Sequence, residues 1–389
     1  MGENQMFKVQ RTSFVLVAAA LLLGAGVTGC TKKSGTESAD VIKVGEVGSM
    51  TGSEATFGIS THRGIKLAID EANAAGGVKG KKIQVITLDD QGKPEEAATA
   101  VTKLITQDKV MAILGEVAST RSIAMGAIAQ QYKVPMITPS STNPKVTEIG
   151  DYVFRVCFLD PFQGFVMARF AAENLKVKKA AVLRDVKNDY SVGLADSFTE
   201  NFKKFGGEIV QDKSYSAGDM DFKAQLTALR SKNPEVIFVP GYYTEVGLIA
   251  RQARELGIKV PLLGGDGWDS PKLREIGGDA VNGSYFSNHY TSEDKSPHVQ
   301  DFIANYKKVH NEVPDGLAAM GYDAAKVLVA AMIRAPELTN VAIRNAIAET
   351  KDFQGVTGKI TIDEKRNATK SAVVLKVDGD ITYQTTITP

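Results

Sequence analysis

An alternation constrains this sequence more than any other feature. From Val41 onward, short apolar runs give way repeatedly to amphipathic runs of helix length. Val41–Val47, Ile83–Leu88, Val110–Leu114 and Pro135–Ile137 are predicted strands. In the segment after the first of them, Ile65, Ala68, Ile69 and Ala72 recur at i, i+3, i+4 and i+7, one face of a helix. Gly76-Gly77 ends that helix, and 95–107 and 122–132 are the next two expected helices. Strands alternating with helices over short connections call for right-handed βαβ units and a parallel sheet. The alternation restarts after Asp160, with helices expected over 162–175, 191–205 and 222–231, and strands over 180–183, 208–215, 236–239 and 261–263. Two such sets predict two α/β lobes, which a chain of 389 residues is long enough to build. The tail reads differently. Three helices are expected over 297–310, 315–334 and 340–349, then a small antiparallel set of strands over 359–362, 372–377 and 381–386.

Several function classes fall away on composition. The net charge is +1 with acids and bases interspersed, so no broad electrostatic surface favours a nucleic acid. The two cysteines, Cys30 and Cys157, form neither a CxxC nor a zinc spacing nor a disulfide framework. The chain holds no G-x-S-x-G elbow, no H-E-x-x-H and no complete phosphate-binding loop, and no base is recognisably paired with a serine. The reading is therefore of a non-enzyme that needs no cofactor and no metal. The four histidines, His62, His289, His298 and His310, lie in polar surroundings and are read as surface residues. Gly76–Lys82 is Gly- and Lys-rich but lies between a helix and a strand, which marks a solvated turn.

The N-terminus is a processing segment. Lys8 and Arg11 precede the apolar run 14–23, too short for a permanent membrane span. Residues 1–29 are read as a signal peptide. Val27-Thr28-Gly29-Cys30 resembles the lipobox of bacterial lipoproteins. That resemblance implies cleavage before Cys30 and lipidation of its thiol; an ordinary secretory cleavage is the alternative. Residues 30–40 then form a polar tether to the membrane.

Two strand exits lie close together between Ala112 and Asn143. One runs into Gly115-Glu116-Val117-Ala118-Ser119-Thr120, the other into Thr138-Pro139-Ser140-Ser141-Thr142. Both put hydroxyls and backbone N–H groups past the carboxyl end of a strand, the edge where open parallel sheets bind ligands. A helix starting near Ser119 would add its own unpaired N–H groups. These residues suit either helix capping or a small anion, carboxylate or phosphate. Tyr190, Tyr242 and Tyr243 follow strands of the second set. Asp266 sits among glycines two residues before Trp268, the only tryptophan. A carboxylate there forms an Asx-turn or pairs with a cation, and an aromatic wall beside it suits an ammonium. Hydroxyls and N–H groups on one lobe, with an acid and aromatics on the other, match a zwitterionic amino acid. Arg121 is the only base beside the hydroxyls, which disfavours phosphate.

The chain resembles the type I periplasmic binding proteins of ABC transporters, in the leucine/isoleucine/valine-binding branch. The resemblance is carried by IKVGEVGSMTGSEATFG, EANAAGGVKGKKIQVITLDDQGKP, GEVAST, ITPSSTNP, DYSVG, FVPGYYTEVGLIARQAREL, GGDGWDS and GKITIDEKRN, in that order from Val41 to the C-terminus. It implies two Rossmann-like lobes with parallel central sheets and a ligand cleft between them. Three crossovers are implied, near Asp160, Tyr290 and Phe353. One lobe would then hold 41–160 and 290–352, and the other 161–289 and 353–389. The family's carboxylate clamp falls on Ser119, Ser140 (through its backbone) and Thr142, with the carbonyl of Ser141 facing the ammonium. The ammonium's acid falls on Asp266, where leucine-binding members carry glutamate. Tyr190 and Tyr242 would cover the ligand and Phe57 would wall it, while Trp268 adds bulk nearby. Leu317 stands where a larger aromatic can occur, and Cys157 is expected free and buried. The implied function is capture of an aliphatic, branched-chain amino acid for an ABC permease by a monomer anchored outside the cytoplasm. An extracellular amino-acid or amide sensor is the alternative.

Overall fold

The structure is a computed structural model and describes residues 41–389. The signal peptide, Cys30 and the tether lie outside the described residues.

The first βα set folds as β1 (Ile42–Gly48), α1 (Ala55–Ala74), β2 (Ile83–Asp89), α2 (Pro94–Lys103), β3 (Ala112–Leu114), α3 (Ser119–Tyr132), β4 (Met136–Thr138), α4 (Lys145–Glu148) and β5 (Val153–Arg155). Its five strands are parallel and ordered β2-β1-β3-β4-β5. The second set folds as α5 (Asp160–Arg169), β6 (Lys179–Asp185), α6 (Asp189–Lys204), β7 (Glu208–Tyr215), α7 (Lys223–Arg230), β8 (Val236–Phe238), α8 (Tyr243–Glu255), β9 (Leu262–Gly264), α9 (Pro271–Gly277) and β10 (Ser284–Asn288). Here the parallel part of the sheet runs β7-β6-β8-β9-β10. Both lobes thus use one strand order, first-to-fifth as 2-1-3-4-5. That order places a topological switch point beside the first strand of each lobe. This is the two-lobe α/β arrangement expected from the alternation. The strands β5 and β10 and the helices α4 and α9, each short, were not among the expected elements.

The tail folds as α10 (Pro297–His310), α11 (Gly316–Arg334), α12 (Asn340–Ala348), β11 (Phe353–Gly355), β12 (Gly358–Ile360), β13 (Ala372–Asp378) and β14 (Asp380–Ile387). It does not make one small antiparallel set. Strands β13 and β14 extend the second sheet antiparallel beyond β10, whereas β11 and β12 pair only with each other. Ile360, Ile362 and Ala368 pack in the first lobe's core with Ile42, Phe154 and Met332. The third crossing therefore lies between Ala368 and Ala372, later than the expected Phe353. The cause is Asp323 of α11. Its carboxylate accepts from the backbone N–H of Val356 (2.7 Å) and Thr357 (2.9 Å) and from the Thr357 hydroxyl (2.6 Å). Those bonds hold the hairpin on the first lobe.

Helix α11 is long and apolar enough to cross a membrane by length and composition, but 78% of its most apolar window is buried inside this fold. It is the core helix of the first lobe and packs tightly on α1. A Cβ on Gly64 would lie 1.9 Å from the Ala318 carbonyl oxygen, and one on Gly321 would lie 2.4 Å from that of Thr61. Only glycine permits such an approach of two backbones.

The lobes touch across the cleft. Phe57, Val117, Ala118 and Leu317 of the first lobe join the second lobe's hydrophobic core. The Tyr243 hydroxyl accepts from Thr56 N–H at 3.3 Å, the Thr56 and Ser270 hydroxyls meet at 2.8 Å, and Asn143 donates to the Asp189 carbonyl at 2.8 Å. The structure is a closed one.

Candidate functional site

At the switch points, the carboxyl ends of both sheets face one small cavity. Phe57, Val117, Ser119, Ser140 and Leu317 form its first-lobe wall; Tyr190, Tyr242, Asp266 and Gly267 close it from the second. A larger hollow of about 510 Å³ lies elsewhere between the lobes and shares no lining residue with it. The small cavity sets the neutral donors of the strand exits, Ser119 and Ser140, against an acid across the cleft, Asp266.

The first-lobe wall is made of strand exits. Ser119 is the first residue of α3, whose N-cap is Ala118, so its hydroxyl does not cap that helix. It accepts instead from Asn143 N–H at 3.2 Å, which stitches the two exits together. The Ser140 and Thr142 hydroxyls are buried and have no hydrogen-bond partner. A buried donor left unmet is costly, so the Ser140 hydroxyl, which lines the cavity, is the one that a bound acceptor would satisfy. Thr142 does not line the cavity; its hydroxyl lies beside the Asp160 carboxyl, which burial holds well above the usual carboxylate range. Ser141 faces inward. Its hydroxyl donates to the Val117 carbonyl at 2.8 Å, and its own carbonyl accepts from Arg155 and from the Cys157 thiol at 3.3 Å. That carbonyl is thus engaged within the lobe, not turned to the cleft as expected.

Arg155 organises this loop. Its guanidinium is fully buried and donates to the carbonyls of Ser141 and Asn143 (2.8 Å), the Thr147 hydroxyl (3.2 Å) and Asn367 Oδ1 (2.7 Å). Cys157 is free and buried, and burial pushes its thiol up to about 12.

Arg121, the base nearest the hydroxyls in sequence, is spent on the protein. It pairs with Glu54 at 2.6 Å, Glu116 at 3.0 Å and Asp90 at 3.8 Å, and burial plus the charge of Glu116 pushes Asp90 up to about 7. Arg121 therefore supplies no unbalanced positive charge for a phosphate.

The second-lobe wall is built around one carboxylate. Asp266 opens a single 3-10 turn, Asp266–Trp268, directly after β9. Its Oδ1 accepts from Gln163 Nε2 at 2.7 Å, and its Oδ2 lies 2.9 Å from His289 Nε2. His289 is buried and stacks on Phe158 with ring centroids 3.7 Å apart. Burial lowers its pKa against the pull of Asp266. The neutral ring thus donates from Nε2, and Asp266 is gripped by two neutral donors that leave its charge uncompensated. Reading His289 as a surface residue is corrected here: polar sequence neighbours concealed a buried position at the end of β10. Gln163 and His289 carried no motif that could have found them.

Glycines make room for this acid. A Cβ on Gly264 would lie 2.1 Å from Trp268, and one on Gly265 would lie 2.4 Å from Gln163 Oε1 and 2.5 Å from the Tyr190 hydroxyl. Trp268 is thereby pressed beneath the strand end. It is fully buried, donates to the Val239 carbonyl at 3.0 Å and does not line the cavity. It supports Asp266 from below and is not the expected ligand wall. The wall is supplied by Tyr190 and Tyr242, stacked at 5.3 Å, with Phe57 edge-on to Tyr242 at 5.3 Å. Asn188 caps α6 by accepting from Tyr190 N–H at 3.0 Å, and Tyr190 Oη accepts from Gly267 N–H at 3.2 Å. Burial raises the pKa of both phenols, so they close the site as neutral rings.

A family model described as a periplasmic binding protein matches residues 41–380. The chain belongs to the periplasmic binding protein family. Among its relatives, the Leu/Ile/Val-binding protein homolog 3 of Brucella melitensis is 32% identical over 83% of this chain and 87% of its own. The solved structure of a leucine-binding protein, LivK, from Thermotoga maritima is 42% identical, covers 90% of this chain and 99% of its own, and superposes with a TM-score of 0.86. LivJ from Streptococcus pneumoniae, a branched-chain amino acid transporter substrate-binding protein solved with isoleucine, is 36% identical at 90% and 100% coverage with a TM-score of 0.85. These proteins are named for binding, and none of the three for catalysis.

Proposed function

We propose that the chain is an extracytoplasmic solute-binding protein that captures an aliphatic, branched-chain amino acid and delivers it to the membrane subunits of an ABC permease. One observation carries this: a single interlobe cavity places Ser119 and Ser140 opposite Asp266, with Phe57, Val117 and Leu317 as an apolar wall between. The ligand carboxylate meets the hydroxyl of Ser119, the N–H groups at the start of α3 and the backbone of Ser140, with Thr142 the next donor along that loop. The ammonium meets Asp266. The aliphatic side chain lies on Phe57, Val117 and Leu317, and Tyr190 and Tyr242 cover it. The names of the relatives support the same ligand class.

A ligand that touches both lobes binds the closed state better than the open one, and that difference drives closure. In this proposal the protein works as a monomer held to the membrane by a lipid on Cys30. A Cys30→Ala variant should then move from the membrane fraction to the soluble one. The function itself is tested by a thermal-shift screen of the purified protein over amino acids and amides. A ligand selective for the native state raises stability by mass action. Leucine, isoleucine or valine should raise the melting temperature most; a flat response to all aliphatic amino acids would sink the proposal.

A further inference from the structure

The hollow of about 510 Å³ beside the second crossover has a composition of its own. Each lobe contributes a carboxylate to its wall, Asp315 from the first and Asp269 from the second. The two are brought together by Gly316, which follows Asp315 and donates its N–H to Asp269 Oδ2 at 2.7 Å; burial and the charge of Asp315 push Asp269 up to about 7, and burial raises Asp315 as well. Arg63 is the only basic residue on the wall, and it is paired with Glu312. The two aspartates are thus left without a counterion. Independently, Tyr290 on the same wall is only 5% exposed, and its hydroxyl has no hydrogen-bond partner. Burial and the charges of Asp269 and Asp315 push that phenol's pKa up, so the hydroxyl sits within the field of both.

We propose that this hollow is a second ligand site, for a small alkylammonium cation, and that its occupancy favours the closed arrangement of the lobes. The ammonium sits between Asp269 and Asp315 with the Tyr290 oxygen as a further acceptor, and the alkyl chain lies along Ile59, Leu375 and Ile381. A metal ion fits less well. Asp269 Oδ2 already accepts from Gly316 N–H (2.7 Å) and Asn288 (2.8 Å), and Asp315 Oδ1 from Ala318 N–H (2.8 Å) and Ser60. Those bonds already engage one oxygen of each aspartate, and the apolar stretch of the wall, Ile59, Leu375 and Ile381, offers calcium none of the six to eight oxygens it takes. An ammonium has three donors to place and an apolar tail that matches the rest of the wall. Because the acids come from opposite lobes, binding here and binding in the amino-acid cavity reinforce each other reciprocally.

The test uses the full chain and butylammonium chloride as probe, with sodium chloride at equal ionic strength as control. Butylammonium alone should raise the melting temperature by about 2 °C at about ten times its Kd, and further as its concentration rises. It should also tighten leucine binding about fivefold in calorimetry. Tyr290→Phe and Asp269→Asn should abolish the shift, each variant's own cooperative melting transition attesting its fold; if Asp269→Asn does not fold, Tyr290→Phe decides. Asp266→Ala, which disables the amino-acid cavity, should retain it. The thermal shift needs no leucine, so it stands or falls separately from the proposed function. No shift with butylammonium, a shift that survives Tyr290→Phe, a shift lost in Asp266→Ala, or a larger shift with calcium chloride would each overturn the proposal.

Discussion

The two walls of the cleft are built on opposite principles. The first-lobe wall is distributed: hydroxyls, backbone N–H groups and a helix start, none bearing a full charge. The second-lobe wall is concentrated in one side chain, Asp266, oriented by Gln163 and His289 and set among glycines that admit no Cβ. A distributed wall loses little when one member is removed, because the backbone donors remain. A concentrated wall loses its charge at a stroke. Affinity should therefore be far more sensitive to substitution in the second lobe than in the first.

The largest effect is expected for Asp266→Ala. It leaves a desolvated ammonium unpaired and should cost about 2–5 kcal/mol of leucine affinity by calorimetry; an unchanged Kd would remove Asp266 from the proposed site. His289→Ala should come next, at about 1–2 kcal/mol, since it frees one oxygen of Asp266 and leaves a void beside Phe158. A pH signature accompanies it. Burial lowers the pKa of His289 below its ordinary 6.5. Between the folded value and 6.5 the unfolded chain binds more protons, so this share of stability is complete above 6.5 and is lost as pH falls through the folded pKa. Denaturant titrations from about pH 7.5 to about pH 5 should show a flatter decline in His289→Gln than in the parent; parallel curves would mean that His289 titrates as it does unfolded.

Ser119→Ala should cost only about 0.5–1.5 kcal/mol of affinity. A loss equal to that of Asp266→Ala would break the contrast between the walls. Trp268→Phe should have the smallest effect on binding and a visible one on folding. It should lower stability by about 1–3 kcal/mol by emptying part of a packed site and removing the indole's bond to the Val239 carbonyl, with leucine affinity unchanged. A large loss of affinity without loss of stability would return Trp268 to the ligand wall.

Much of the molecule was legible because it follows from periodicity. Strand exits can be located from apolar runs, and Ser119, Ser140, Tyr190, Tyr242 and Asp266 all stand just past one. What was not legible depends on which way a turn faces, or on partners far away in the chain. Trp268 lies two residues from Asp266, yet the single 3-10 turn between them sends one side chain to the cleft and the other beneath the sheet. Gln163 meets Asp266 across 103 residues of sequence, and no local pattern encodes that pairing. The third crossover was expected too early because Asp323 retains the 353–360 hairpin, a bond visible only once α11 is in place.

The buried guanidinium of Arg155 bears on how the ligand range of such a protein could be re-engineered. It joins the loop of Ser141 and Asn143 to Asn367, and Thr147 bonds Asn367 as well at 2.9 Å. The first-lobe loop and the segment leading into the third crossover are therefore one welded part. Grafting that loop from a relative would need Arg155, Thr147 and Asn367 to travel with it, a transplant spread over more than two hundred residues. Asp266 has ties of its own, to Gln163 just past the first crossover and to His289 just before the second. The apolar wall of Phe57, Val117 and Leu317 stands outside that weld, so selectivity for the side chain can be rewritten there one residue at a time while the loop keeps its grip on the carboxylate that every amino acid shares.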